Sequence, residues 1–215
     1  MADESTVDER REYTKGSLGE AASGMDPFAL FMQWLEEAVQ SGADDANAML
    51  LSTVGSASLS SRIVLLRKVD ARGFVFYTNY NSRKAMNLER DPRASLTFFW
   101  PGLERQVRIE GKAEKVPAEE SDAYFASRPR DSQIGAWSSD QSRVAKDRDE
   151  MEQRFARWSE RFKEMEQVPR PEHWGGFVVR PVRIEFWQGR ASRLHDRLVY
   201  ERFSDGTWQR LRLQP

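Results

Sequence analysis

The chain contains no cysteine, which excludes disulfides, thiolate metal sites and a thiol nucleophile. Its only histidines are His173 and His195, too few for a histidine-rich metal centre, and no metal is expected. Neither sign of charge is in excess, with 33 Lys and Arg against 34 Asp and Glu. A general nucleic-acid binder carries a basic surplus, so no nucleic-acid partner is expected. Long apolar runs are also missing; Ile63-Val64-Leu65-Leu66 is among the longest. The acidic, polar start, Met1 to Arg11, lacks a signal peptide's apolar core. A cytoplasmic protein without a membrane partner is the expectation. There is no Gly-x-Gly-x-x-Gly and no Gly-Lys-Ser/Thr loop, which removes the usual Rossmann and P-loop signals.

What is present suits one domain of 215 residues with a sizeable core and a heavily charged surface. Seven Trp and twelve Phe are many for this length, enough to pack a subunit interface or a planar ligand as well as the core. Residues 1–24 are polar and rich in small side chains, which predicts a mobile segment. Residues 25–215 are expected to form a single domain. Asp26-Pro27 predicts a helix start, and Phe31, Trp34, Leu35, Ala38 and Val39 follow at helical spacing before Gly42. Strands are predicted over Ala48–Val54, Ser61–Val69, Phe74–Thr78, Ala94–Trp100 and Gln106–Val116. Four more are expected near Gly176–Val179, Ile184–Gln188, Leu198–Phe203 and Trp208–Leu213. Between them, Ser82 can cap a short helix ending before Asp91-Pro92, and Pro117 opens another through Tyr124-Phe125. A longer helix is predicted over Val144–Met165, where Met151, Phe155, Trp158, Phe162 and Met165 form a packing stripe. Strands joined by short turns, with helices only at intervals, are not βαβ repeats. They predict an α+β fold, a mostly antiparallel β-barrel with peripheral helices.

Four segments concentrate cationic side chains. In Arg62-Ile63-Val64-Leu65-Leu66-Arg67 a run that reads as a buried strand carries a guanidinium at each end; strand-end arginines reaching solvent explain it as well as a site does. In Tyr77-Thr78-Asn79-Tyr80-Asn81-Ser82-Arg83-Lys84 a Ser82 cap puts Arg83 and Lys84 in the first helical turn. There they oppose the helix dipole unless an anion binds. Tyr124 followed by Arg128-Pro129-Arg130-Asp131-Ser132 combines an ordinary cationic helix end with groups able to ligate phosphate. In Arg193-Leu194-His195-Asp196-Arg197, an extended backbone would place Arg193, His195 and Arg197 on one face. They repel there unless Asp196 or a ligand compensates.

These segments, taken in order, resemble the pyridoxamine 5′-phosphate oxidase family, the FMN enzymes that make pyridoxal 5′-phosphate. The matching strings include Arg-Arg-Glu-Tyr-Thr-Lys-Gly (10–16), Arg-Ile-Val-Leu-Leu (62–66), Phe-Tyr-Thr-Asn (76–79) and Ser-Arg-Lys (82–84). Glu-Arg-Gln-Val (104–107), Ser-Arg-Pro-Arg-Asp-Ser-Gln-Ile-Gly-Ala (127–136), Gln141-Ser142 and Trp174-Gly175-Gly176 continue the series. Glu185-Phe186-Trp187-Gln188-Gly189 and Arg193-Leu194-His195-Asp196-Arg197 complete it, so that the likeness runs from Arg10 to Pro215.

The resemblance implies a split-barrel homodimer with FMN at the subunit interface. It implies oxidation of pyridoxamine 5′-phosphate and pyridoxine 5′-phosphate by molecular oxygen, with release of hydrogen peroxide. FMN would be bound by Arg62, Ile63, Val64, Leu65, Leu66, Arg67, Tyr77, Thr78, Arg83, Lys84, Gln106, Gln141, Ser142, Trp187 and Arg197. Substrate would meet Arg67, Tyr124, Arg128 and Ser132 through its phosphate, and Arg193, Leu194 and His195 over its ring. Arg193 and His195 would be the catalytic pair. The stretch Arg10, Arg11, Glu12 and Tyr13 would fold over bound substrate. One departure stands out: Arg67 occupies a position where the family usually has lysine, and its planar fork is not equivalent to an ammonium beside a phosphate. Two other functions use many of the same residues. One is a split-barrel reductase, which should lack the Arg193–Arg197 string together with Arg128 and Ser132; the other is a non-catalytic carrier of FMN or pyridoxal phosphate.

Overall fold

The computed structural model describes residues 12–19 and 24–215, and its first helix begins at the capping signal. Asp26 accepts hydrogen bonds from the amides of Phe28 and Ala29, at 2.9 and 3.2 Å. Pro27 takes the first helical position, where a missing N–H costs nothing. Helix α1 (Pro27–Gln40) then buries Leu30, Phe31, Trp34 and Ala38 along one stripe. The remaining elements are β1 (Ala48–Val54), β2 (Leu59–Leu65), β3 (Lys68–Asp70), β4 (Gly73–Asn79), α2 (Arg83–Arg90), β5 (Arg93–Trp100) and β6 (Arg105–Lys115). After them come α3 (Ala118–Ala126), α4 (Arg130–Ser138), α5 (Arg148–Phe162), β7 (Trp174–Gln188), β8 (Asp196–Arg202) and β9 (Trp208–Leu213). Among the described residues the strands join in one sheet of order β2-β1-β5-β6-β7-β4-β3, with β8 paired to β7 and β9 to β8. The β3–β4, β4–β7, β7–β8 and β8–β9 ladders are all antiparallel.

The residues divide into two units, each with its own core. One comprises the described residues up to Met49, Leu96–Glu110 and Val182–Pro215. Here α1 packs its aromatics edge-on: Phe31 lies 4.9 Å from Phe98, and Trp34 lies 5.3 Å from Phe186, ring centre to ring centre. Burying each such side chain contributes about 1.5–3 kcal/mol. The buried Trp100 indole N–H is satisfied by the Ala46 carbonyl at 2.9 Å. The other unit comprises Leu50–Ser95 and Gly111–Pro181. Its helical layer buries Phe125, Ile134, Phe162, Val168 and Trp174 around one centre. Against its ladder of β4 and β7 pack Val75, Val116 and Val178. The tight β3–β4 turn needs Gly73: at φ 150° a Cβ there would lie 2.0 Å from the Val179 carbonyl oxygen.

Several sequence expectations are corrected. The strand predicted over Ser61–Val69 is two, β2 and β3, with Leu66 and Arg67 between them. Its apolar run is not a buried strand, because β2 ends the sheet and Ile63 is 63% exposed. The two strands predicted within 176–188 are one, β7. Pro181 falls between two of its ladders, since pairing with β4 ends at Val179 and pairing with β8 starts at Arg183. Helix α4 was not anticipated; Arg128 lies not on a cationic helix end but in the joint between α3 and α4. Arg130, in the first turn of α4, donates to the carbonyls of Phe162 and Met165. The long helix is trimmed to Arg148–Phe162 because Asp147 caps it, accepting from the Glu150 amide at 2.8 Å. Of its stripe, Phe155, Trp158 and Phe162 pack inward, while Met151 and Met165 stay about half exposed.

Candidate functional site

The unit formed by Leu50–Ser95 and Gly111–Pro181 encloses a cavity of about 480 Å³. Strand β2 and the turn after it bring Arg62, Ile63, Val64, Leu65 and Arg67 to its wall, and β4 adds Tyr77, Thr78 and Asn79. Lys84 comes from the first turn of α2, Tyr124 from α3, Arg128 from the joint, and Ser132, Gly135 and Ala136 from α4. Ser139, Gln141 and Trp174 close it. Twelve residues expected at the site from the sequence therefore share one cavity, among them cations from all but the last of the four charged segments. Asn79, Gly135, Ala136, Ser139 and Trp174 were not assigned, although all but Ser139 lie within the strings that carry the family resemblance.

The lining holds four cationic side chains and no carboxylate. The Arg62 guanidinium is held by neutral acceptors, the Leu51 carbonyl at 3.2 Å and the hydroxyls of Thr53, at 2.9 Å, and Ser60. The Lys84 ammonium donates to the Gln141 side chain at 2.8 Å and to the Thr78 and Ser82 hydroxyls at 3.2 and 3.4 Å. Ser82 is the N-cap of α2, yet its hydroxyl makes no cap bond to the helix amides, which leaves them free for another acceptor. Burial, and next the charge of Arg62, brings the Lys84 ammonium down to about 8. Burial followed by Arg83 lowers Arg62; burial also lowers Arg128, with Tyr124 opposing and Arg67 adding to the effect. One guanidinium nitrogen of Arg128 is buried without any hydrogen-bond partner among the described residues. Such a set repels itself and wants an anion.

Aromatic rings form the rest of the wall. Tyr77 stacks on Tyr124 at 3.9 Å and 15°, and Trp174 lies parallel to both. Burial, assisted by Glu120 and Tyr124, pushes the Tyr77 phenol up to about 12, so it stays protonated at neutral pH.

Six expected flavin contacts fall outside this lining, three of them in the same unit. Leu66 is buried, 5% exposed, and faces the core; Arg83 is exposed and acts on Arg62 through its charge. Ser142, at φ 73°, borders a smaller neighbouring cavity of about 260 Å³ with Arg143 and Arg154.

The other expected residues that are described belong to the first unit, where Tyr13, Trp187 and His195 cluster. Tyr13 packs edge-on against Trp187 at 5.6 Å and against His195 at 5.5 Å, while Trp187 and His195 lie 4.8 Å apart. The Arg190 amide donates to His195 Nδ1 at 3.1 Å, so the neutral ring carries its proton on Nε2. The stretch before Asp196 is not extended: Ala191–Arg193 is a tight 3-10 turn with Ser192 and Arg193 at φ 57° and 60°. The alternation expected for Arg193, His195 and Arg197 therefore does not apply, and Arg193 and Leu194 are exposed. Asp196 is engaged by Arg190, Arg212 and the Leu18 amide. Arg197 pairs instead with Glu185, 2% exposed, at 2.8 Å. Gln106 is half-buried on β6, and Glu12 is exposed. Arg10 and Arg11 lie outside the described residues. Among the described residues no cluster of acidic, histidine or cysteine side chains suits a metal, and no helix is long and apolar enough to cross a membrane.

With this geometry in hand, likeness to known proteins is specific. A family model described as "Pyridoxamine 5'-phosphate oxidase" matches residues 35–162. A second, "Pyridoxine 5'-phosphate oxidase C-terminal dimerisation region", matches residues 174–215. The pyridoxine/pyridoxamine 5′-phosphate oxidase of Rubrobacter xylanophilus is 55% identical over 207 residues, covering 96% of this chain and 94% of its own. The protein of the same name from Pseudomonas paraeruginosa is 54% identical, covering 99% of each chain. Among solved structures, PhzG from Burkholderia lata, in complex with tetrahydrophenazine-1-carboxylic acid, superposes with a TM-score of 0.83 at 30% identity, over 88% of this chain and 93% of its own. A pyridoxamine 5′-phosphate oxidase-related, FMN-binding protein from Nostoc punctiforme gives 0.70 at 15% identity, over 89% and 99%, a likeness of fold alone. The expected fold class, α+β and a mostly antiparallel split β-barrel with peripheral helices, is borne out.

Proposed function

Because the chain belongs to the pyridoxamine 5′-phosphate oxidase family, we propose that it binds FMN and oxidises pyridoxamine 5′-phosphate and pyridoxine 5′-phosphate to pyridoxal 5′-phosphate. Oxygen is the electron acceptor and hydrogen peroxide the by-product, with ammonia released from the amine. The observation that carries this reading is the cavity itself: four cations, no acid, an unpartnered buried guanidinium nitrogen and stacked rings. Two phosphorylated planar molecules, the flavin and the pyridine, call for that chemistry.

The residues fit FMN. Lys84, Thr78 and Gln141 form a hydrogen-bonded group at the start of α2, and Arg62 lines the same cavity, so that helix amides without a side-chain cap and two cations favour a phosphate there. Arg83, Ser142, Gln106, Trp187 and Arg197 belong to the same assignment. Tyr124, Arg128, Ser132 and Arg67 are assigned to the substrate phosphate; its binding energy, remote from the reacting carbon, helps align that carbon. Arg67 retains the charge expected there but offers a forked, bidentate contact.

FMN, held by these residues, would supply the redox chemistry, as an acceptor for a hydride equivalent from the substrate's C4′ that oxygen can reoxidise. The protein's part is positional and electrostatic. The Arg193 guanidinium is exposed and without an ion-pair partner among the described residues, so its charge is available to a substrate oxygen or ring. His195 offers the proton on Nε2, because its Nδ1 is occupied by the Arg190 amide. Tyr13, packed on Trp187 and His195, covers that surface and keeps water from it; Arg10 and Arg11 are assigned to the same cover. The dimerisation region named in the second family model supports a homodimer, and FMN at the subunit interface and a cytoplasmic location belong to this reading.

The test is aerobic formation of pyridoxal 5′-phosphate from each substrate by the purified protein with FMN, with peroxide followed in parallel. Equal amounts of aldehyde and peroxide are expected. Flavin binding with neither product would sink the oxidase and leave a carrier or a reductase.

A further inference from the structure

Most half-buried guanidinium groups are anchored by an acid. Arg128 is not: its Cζ lies 4.5 Å above the Trp174 ring and 5.6 Å from that of Phe125. One of its nitrogens is buried with no hydrogen-bond partner among the described residues. Two carboxylates of helix α3, which ends just before Arg128, are engaged elsewhere, Glu120 with Arg72 at 2.8 Å and Asp122 with Arg170 at 2.6 Å. An aromatic face attracts a cation but does not cancel its charge. An acid in that place would orient the arginine equally well and then compete with any phosphate.

Trp174 is itself firmly placed. It is 6% exposed, and in the β4–β7 ladder it stands opposite Asn79. Its carbonyl accepts from Arg170 at 2.6 Å, and its ring lies within 10° of parallel to Tyr77 and Tyr124. The same indole therefore packs against two of the groups assigned above to the substrate phosphate, Arg128 and Tyr124.

We propose that Trp174 is a positioning residue for the substrate phosphate, holding Arg128 and Tyr124 in place while leaving the guanidinium charge unneutralised. This rests on the oxidase reading. Trp174 sets affinity for the phosphorylated substrate rather than the rate of the bound complex, and the aromatic face is the property that matters.

The experiment uses the FMN-loaded protein with Trp174→Phe, which keeps an aromatic face, and Trp174→Leu, which does not. For Trp174→Leu, KM for pyridoxine 5′-phosphate should rise about ten-fold, the worth of a partly desolvated cation–π contact, with kcat and FMN content near wild type. Trp174→Phe should recover most of the affinity. Direct binding of pyridoxal 5′-phosphate by equilibrium dialysis should weaken in the same order. An unchanged KM and dialysis constant in Trp174→Leu, or equal weakening in both variants, overturns the proposal and leaves the oxidase standing. A wild-type protein without turnover, whose pyridoxal 5′-phosphate binding still follows the ring at this position, overturns the oxidase and leaves Trp174's role intact. Should Trp174→Leu fail to fold, Trp174→Met keeps the bulk without the ring, and the same two outcomes decide.

Discussion

Replacing Lys84 by methionine removes a half-buried charge while keeping most of the side chain's bulk. Burial, and after it Arg62, brings this ammonium from 10.5 to about 8. At about 1.4 kcal/mol per pH unit the difference is worth about 3 kcal/mol, and water around a half-buried group reduces it to about 1–2 kcal/mol. A lysine whose folded-state value lies below its unfolded value is penalised in full below about pH 8; the penalty fades as pH climbs towards 10.5. Against that gain stands the loss of hydrogen bonds to Gln141, Thr78 and Ser82. This loss costs about 1 kcal/mol, since Thr78 still donates to Gln141 at 3.2 Å. FMN-free Lys84→Met should thus equal or exceed wild type by up to about 1 kcal/mol at pH 7, or roughly 2–4 °C in Tm. At pH 10 the ranking should reverse. Flavin affinity should fall about 10–100-fold, the worth of one charge-assisted bond to a phosphate. Thermal unfolding of the FMN-free protein at both pH values and a fluorescence titration with FMN measure all three. A variant clearly less stable than wild type at pH 7, or one that keeps wild-type FMN affinity, refutes the reasoning.

Arg193→Ala and His195→Ala should each lower turnover while flavin content stays normal; unchanged turnover in both removes them from the catalytic set. Gly176→Ala would bring a Cβ to 2.8 Å from the Tyr77 ring and 2.7 Å from Val116. It should cost about 1–3 kcal/mol of stability and reduce FMN content, and an unchanged Tm contradicts this. Arg72→Met should cost about 1–3 kcal/mol at pH 7 by leaving Asp70 and Glu120 with Lys68 as their one remaining cation among the described residues. Hydrogen bonds from Arg72 hold the Asp70 carboxyl far below its ordinary 3.8. The stability they contribute is present above that value and is lost as pH falls further, so the two proteins should converge in acid. A gap that persists in urea unfolding down to the lowest workable pH argues against it.

Signals that act over a few residues were legible in the sequence. The Asp26-Pro27 cap, the stop at Asp91-Pro92 and the alternation along β6 all act within one or two turns or pleats, and the elements follow them. What depends on distant partners was not. Whether Ile63 is core or surface depends on β2 ending the sheet, and the union of two predicted strands into β7 depends on β4 and β8 sharing its length. Helix α4 escaped because it is short and its buried positions include Gln133, so apolar periodicity is faint. In the site, cations were visible because charges in unlikely places stand out locally. Trp174 was not, because a tryptophan is ordinary in a core and acquires its meaning only from the guanidinium above it.

The clearest argument for a ligand comes from comparing arginines within the one chain. Acids are abundant, at 34 Asp and Glu, and most partly buried arginines away from the cavity find them. Arg72 has Asp70 and Glu120, Arg170 has Asp122, Arg197 and Arg183 share Glu185, and Arg105 has Glu37. Inside the cavity the pattern stops: Arg62 is held by hydroxyls and a carbonyl, and Arg128 by rings. A chain that pairs most of its partly buried arginines with acids has left these open, and local rules are broken together where a partner from outside completes them. An acid at any one of these positions would relieve the repulsion and with it the attraction for a phosphate. The mutual repulsion of these cations and their attraction for a phosphorylated ligand thus have the same origin.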